Sequence, residues 1–167
     1  MSNSTTPSSI SAESRATVAS SGPRITLWTL RLFAVLTTTA TLAQPLLAGA
    51  YLDGSVKAIL VHGNNGHLLL VLVFAQLIAA IPYRFAGRGA GWPLHASITL
   101  LIAVNLQLGF GYGRLLTAHL PLGIAILACQ LGITIWLWSP AARRAHPRRR
   151  RRKLERQREQ QDRKVRS

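Results

Sequence analysis

The chain has 167 residues, of which 49% are hydrophobic, and its 20 Lys/Arg against 5 Asp/Glu give a formal net charge of +15. The single cysteine, Cys129, rules out an internal disulfide and any Cys-x-x-Cys redox or zinc motif. The charge is concentrated: Arg143 to Ser167 holds thirteen Lys/Arg and three Asp/Glu behind an apolar body, which points to a membrane protein with a basic tail and away from a nucleic-acid-binding domain.

Residues 1–23 are rich in Ser and Thr, with Pro7, Gly22 and Pro23, and lack the basic segment and adjoining apolar stretch of a signal peptide. They are expected to be a disordered N-terminus, with the first span retained. A transmembrane domain over 24–140 follows. Its four apolar runs, at about 25–52, 63–83, 94–112 and 118–138, are each near the length that crosses a bilayer as a helix. Short connections make sequence neighbours antiparallel, so the expected fold is all-α, an integral membrane four-helix up-down bundle. No ten-residue alternating pattern suggests a β-barrel.

The distribution of Lys and Arg orients the bundle. Arg24 and Arg31 precede or begin the first run, Arg84 and Arg88 separate the second from the third, and Arg143 and Arg144 head the tail. Only Lys57 and Arg114 flank the spans on the other side. Both termini are therefore expected in the cytoplasm, in a multi-pass protein of the cell membrane. Trp28, Tyr51, Trp92, Tyr112, Trp136 and Trp138 fall near the interfaces as an aromatic belt, and Gly49, Gly66, Gly109, Gly111, Gly123 and Gly132 are candidates for close helix approach. Cys129, deep in the fourth run, is expected to be a buried, inert thiol.

The second and fourth runs open on the same pattern, His62-x-x-x-Gly66 and His119-x-x-x-Gly123. Topology puts both on the outer side, on spans running the same way. A histidine at membrane depth is a functional-site candidate. Two imidazoles at equal depth on facing helices are the ligand set of a bis-histidine haem. Glycines one turn inward on the same faces would give the flat ring clearance. The blander reading is a pair of interfacial histidines in contact with headgroups. His67 is an alternative ligand: five residues beyond His62, it points about 140° away, so the two cannot share one iron. A zinc or copper site of His62, His67 and His119 is a further alternative. His95, on the inner side, has only His146 of the tail as a conceivable partner. Gln44, Gln76, Asn105, Gln107 and Gln130 are expected to hydrogen-bond between helices, with Asn105 and Gln107 also placed to border a ligand pocket. No carboxylate lies within a span and Asp53 is the only acid of the outer loops, so neither a pump-like proton relay nor Ser-His-Asp chemistry has a candidate, and no residue is assigned a catalytic role.

The order of these motifs, with Asn105-Leu-Gln107-Leu-Gly109 in the third run, resembles one four-helix half of the haem A synthases, over about Leu42 to Trp138. It is similar also to four-helix b-type cytochromes and to small bacterial four-span membrane proteins of unknown function. The resemblance implies one haem b at the outer face, held by His62 and His119, for electron transfer or haem carriage. The acidic residue those synthases carry just before the histidine of the second span is absent, Val61 standing there, and the arginine that commonly follows it is Gly63. Their haem-modifying chemistry is therefore not carried over.

Arg148 to Lys153 is an unbroken basic run in the tail, 141–167. It is expected to attract anionic lipid headgroups or a protein partner, and nucleic acid is not an expected partner. A cofactor-free membrane subunit or adaptor working through this tail is the alternative to the haem protein, whose own partner would be a redox or other membrane protein.

Overall fold

The computed structural model describes residues 22–143 and Gln161. The basic run Arg148 to Lys153, His146 and residues 1–21 lie outside the described residues. Four helices form the fold: α1 (Gly22–Leu52), α2 (Val56–Phe85), α3 (Trp92–Tyr112) and α4 (Leu116–Trp138), with a short 3-10 turn at Pro140–Arg143. All four are long and apolar enough to cross a membrane. At 1.5 Å per residue the shortest, with 21 residues, reaches about 32 Å, just over the hydrocarbon thickness. Packing runs α1–α2, α2–α3, α3–α4 and α1–α4, the ring order of an up-down bundle in which α2 and α4 are diagonal.

Burial follows the logic of a lipid solvent. Leu46, Val71, Ile124 and Ile135 are exposed, whereas Arg31, Thr37, Thr41, Gln76, Ser97 and Gln130 are buried. Where no water can hydrogen-bond, polar groups turn inward and pair within the protein. Gln76 and Gln130 do this across the diagonal. Each donates its amide nitrogen to the other's oxygen, at 3.3 Å from Gln76 and 3.0 Å from Gln130. Ser97 of α3 accepts from Gln76 (3.4 Å), and Thr38 and the Ala34 carbonyl of α1 accept from Gln130 (3.3 and 3.1 Å). Thr38 in turn meets Thr134 at 2.7 Å. One polar layer thus ties all four helices together.

The α1–α2 and α3–α4 connections are the same turn. Asp53, Gly54 and Ser55 donate to the carbonyls of Gly49, Tyr51 and Ala50, and Gly113, Arg114 and Leu115 donate to those of Gly109, Gly111 and Phe110. The central residue of each has positive φ, +101° at Gly54 and +56° at Arg114. The glycine adopts this without strain, while Arg114 bears the cost of a Cβ there.

At the termini end, Tyr83 is buried and donates its hydroxyl to the Ala142 carbonyl at 2.8 Å. Gly89 lies so close to the Tyr83 ring that a Cβ on it would sit 2.2 Å from the ring.

Several expectations need correction. α2 starts at Val56 rather than at residue 63 and α4 at Leu116 rather than 118, because helix continues through the interface beyond the apolar run. His62 is therefore inside α2, not at its start. Cys129 is exposed: α4 presents Ile126, Gln130, Ile133 and Leu137 to the core and turns Cys129 away from it. A Cβ on Gly49, Gly109 or Gly132 would meet nothing within 4 Å, so these glycines mediate no close helix approach within the chain.

Two stability outcomes follow. Gln130→Leu leaves the Gln76 amide short of its partner and lowers unfolding free energy by about 1–2 kcal/mol, whereas the double change with Gln76→Leu costs less than the sum of the singles because neither amide is orphaned. A double-mutant cycle of unfolding in bicelles measures this, and strict additivity contradicts it. Gly89→Ala forces the Tyr83 ring aside and destabilises by about 1–3 kcal/mol, while Gly109→Ala, into open space, leaves the melting temperature nearly unchanged.

Candidate functional site

The diagonal helices α2 and α4 meet again near the hairpin end, through His62 and His119. Their ring centroids are 6.2 Å apart with the planes inclined at 51°. Both side chains are half-buried. The pair expected from the repeated motif is thus brought together across the bundle.

Each imidazole is held by the first helix of its own hairpin. His62 Nδ1 lies 3.1 Å from the Gln44 main-chain oxygen, and His119 Nδ1 lies 3.0 Å from the Gln107 main-chain oxygen. A carbonyl only accepts, so the tautomer that makes either bond carries its proton on Nδ1 and leaves Nε2 with a free lone pair. That is the state in which a histidine binds a metal, its far nitrogen fixed by a carbonyl. The glutamine side chains return the contact. Gln107 donates its amide to the His119 carbonyl at 2.8 Å. Gln44, with its amide turned so that the oxygen accepts from the Gly66 N–H (3.1 Å), donates its nitrogen to the His62 carbonyl (3.3 Å); the same nitrogen lies 3.0 Å from ring Nδ1, which accepts from it only in the tautomer that gives up the bond to the Gln44 carbonyl. Each hairpin therefore carries a reciprocal glutamine–histidine clamp.

The clamps sit at different heights above the same turn. His62 lies seven residues beyond Ser55, and His119 four beyond Leu115. Gln44 lies nine residues before Asp53, and Gln107 six before Gly113. Both arms of the first hairpin are longer by three residues, about one helical turn. Since the rings face each other, the first hairpin projects about one turn further than the second.

Gly66 and Gly123 stand one turn below the histidines, and their missing side chains make room for neighbours. A Cβ at Gly66 would meet Leu108 Cδ2 at 3.0 Å and Gln44 Nε2 at 3.4 Å; one at Gly123 would meet Gln107 Nε2 at 2.9 Å. The amides of both clamps thus rest in glycine notches. Gly111 does the same for the His119 ring, whose Cε1 would lie 3.1 Å from a Cβ there. Gln107 Oε1 is sealed and has no hydrogen-bond partner, an acceptor beside the pair with no donor.

His67 is not brought to this pair. It is exposed, donates from Nδ1 to its own-helix Gly63 carbonyl at 3.0 Å, and sets its ring 6.1 Å from that of Tyr112. His95 is exposed in the first turn of α3, with the Gly91 carbonyl 3.0 Å from its Nδ1. Asn105, also exposed, bonds to Leu101 of its own helix, while Asn65 bridges to α1 through the Ala40 carbonyl (2.7 Å). Among the described residues no three His, Cys, Asp or Glu converge as a metal site. The clamping role of Gln44 and Gln107 went unrecognised in the sequence, although a glutamine near the end of the first and third runs, ahead of each histidine, was the available signal. Compared with known proteins, the chain matches no family model, no curated protein and no solved structure.

Proposed function

We propose that this protein is a small membrane haem protein that holds one haem b between His62 and His119, near the end of the bundle that the lysine and arginine distribution places outside the cytoplasm. The observation that carries the reading is the facing imidazole pair at 6.2 Å, each ring tied through Nδ1 to a main-chain carbonyl. With a metal–nitrogen bond of about 2 Å on either side, two axial imidazoles have centroids about 6 Å apart. Donor chemistry and spacing both suit iron. The notches at Gly66 and Gly123 are filled by Leu108 and the Gln44 and Gln107 amides, which would border the bound group.

Haem held in this way supplies a reversible one-electron change. With both His62 and His119 holding the iron, the group would serve electron transfer or haem carriage and not oxygen activation. The Gln44 and Gln107 carbonyls orient the rings and keep each Nε2 deprotonated. The exposed His67 has no part in ligation.

Full-length protein from haem-sufficient cells is expected to show a Soret band and sharp α and β bands on reduction. His62→Ala and His119→Ala each abolish the low-spin spectrum, whereas His67→Ala retains it. A folded, colourless protein that takes up no added haem overturns the proposal and leaves the cofactor-free adaptor.

A further inference from the structure

The opposite end of the bundle holds a cation with no counter-ion among the described residues. Arg31 is 2% exposed. Its Nε and Nη2 both donate to the Leu137 carbonyl, at 2.9 and 2.8 Å, in the last turn of α4. Its guanidinium carbon lies 4.9 Å from the ring centre of Trp28 and 4.6 Å from that of Trp138. Those rings meet edge to face at 5.6 Å. The bonds satisfy one edge of a five-donor fork, and Nη1 bonds to nothing among the described residues.

Charge balance is worse than the hydrogen bonding. The one carboxylate among the described side chains, Asp53, is at the hairpin end. A second cation, Arg143, is near enough to act on Arg31 electrostatically. Ser139, two residues beyond the capped carbonyl, has a buried Oγ with no hydrogen-bond partner among the described residues. A buried cation with a like charge beside it is unfavourable unless an anion joins them. Cation–π contacts of this kind contribute about 0.5–2 kcal/mol, less than the several kcal/mol of desolvation that burying an ion costs.

The surroundings name the anion. Trp28 and Trp138 are large and exposed, 56% and 48%, at the level where aromatic side chains mark the lipid headgroups. A planar guanidinium fork suits a phosphate, and a hydroxyl donor adds a third contact. We infer that Arg31, Arg143 and Ser139 form a binding site for the phosphate of an anionic phospholipid in the leaflet at the termini end, its glycerol and chains passing over Trp28 and Trp138. This lipid is distinct from the diffuse layer attracted by the basic tail, since it is held one per chain by a buried fork.

The test counts lipid carried through detergent gel filtration by the full chain, reconstituted with equal phosphatidylglycerol and phosphatidylcholine. Salt of about 1 M suppresses binding to the tail. Wild type should retain one phosphatidylglycerol per chain and little phosphatidylcholine. Arg31→Lys, which keeps the charge but loses the fork, should retain about tenfold less. Arg143→Gln changes an exposed side chain and should also weaken retention, which decides the matter if the Arg31 variant does not fold. Equal retention in wild type and either folded variant overturns the site. Retention of labelled inorganic phosphate by lipid-stripped protein, with loss of phosphatidylglycerol when phosphate is added, overturns the lipid as its source.

Discussion

The bundle depends on a rule that hydrocarbon imposes: a polar group without a partner in the protein has none at all. An unmet main-chain or amide group costs several kcal/mol in lipid, whereas a typical interhelical side-chain bond contributes about 0.6–2 kcal/mol. The helices are accordingly joined by side chains that reach main-chain carbonyls on other helices. Arg31 takes that of Leu137, Asn65 that of Ala40, Gln107 that of His119 and Gln130 that of Ala34. Each bond satisfies the donor and fixes two helices at once. Apolar contact supplies little of this order, because lipid tails compete with leucine on equal terms.

The rule also explains why a repeated hairpin is useful. Two turns of the same hydrogen-bond pattern launch two antiparallel pairs, and each pair holds its own histidine. Docking the hairpins then needs no reorientation of either ring. The one-turn offset raises the clamp of the first hairpin by the amount that the longer arms add. Were the two turns level, the unequal arms would instead put the rings about 5 Å apart in height.

Much of the architecture was legible because hydropathy reports lipid exposure directly. The four runs, their order and the His62–His119 pairing follow from period, length and topology. What escaped prediction depends on which side of a helix faces inward. Cys129 and Gln130 are adjacent in an apolar run, yet one faces outward and the other lies at the centre. Gly66 and Gly109 look alike in sequence, but only the first touches another helix. Arg31 reads as a topology signal, and its capping of α4 depends on a residue 106 positions away. Helix starts were placed late because hydropathy ends where the interface begins, whereas the helix does not.

Three polar layers stack along the bundle axis, and their unused bonding capacity separates scaffold from site. In the middle layer, Gln76 and Gln130 bond reciprocally, and Ser97, Thr38 and Thr134 take up surplus donors. Nothing there calls for an additional ligand, so the layer is structural. The hairpin-end layer keeps two imidazole lone pairs and the lone Gln107 Oε1. The termini-end layer keeps an uncompensated charge, the unused Nη1 edge and Ser139 Oγ. The first surplus consists of acceptors and nitrogen ligands, and it suits a metal-bearing group. The second consists of donors and positive charge, and it suits an anion. A bundle that satisfies its midplane so fully concentrates its open hydrogen-bonding groups, among the described residues, at its two ends.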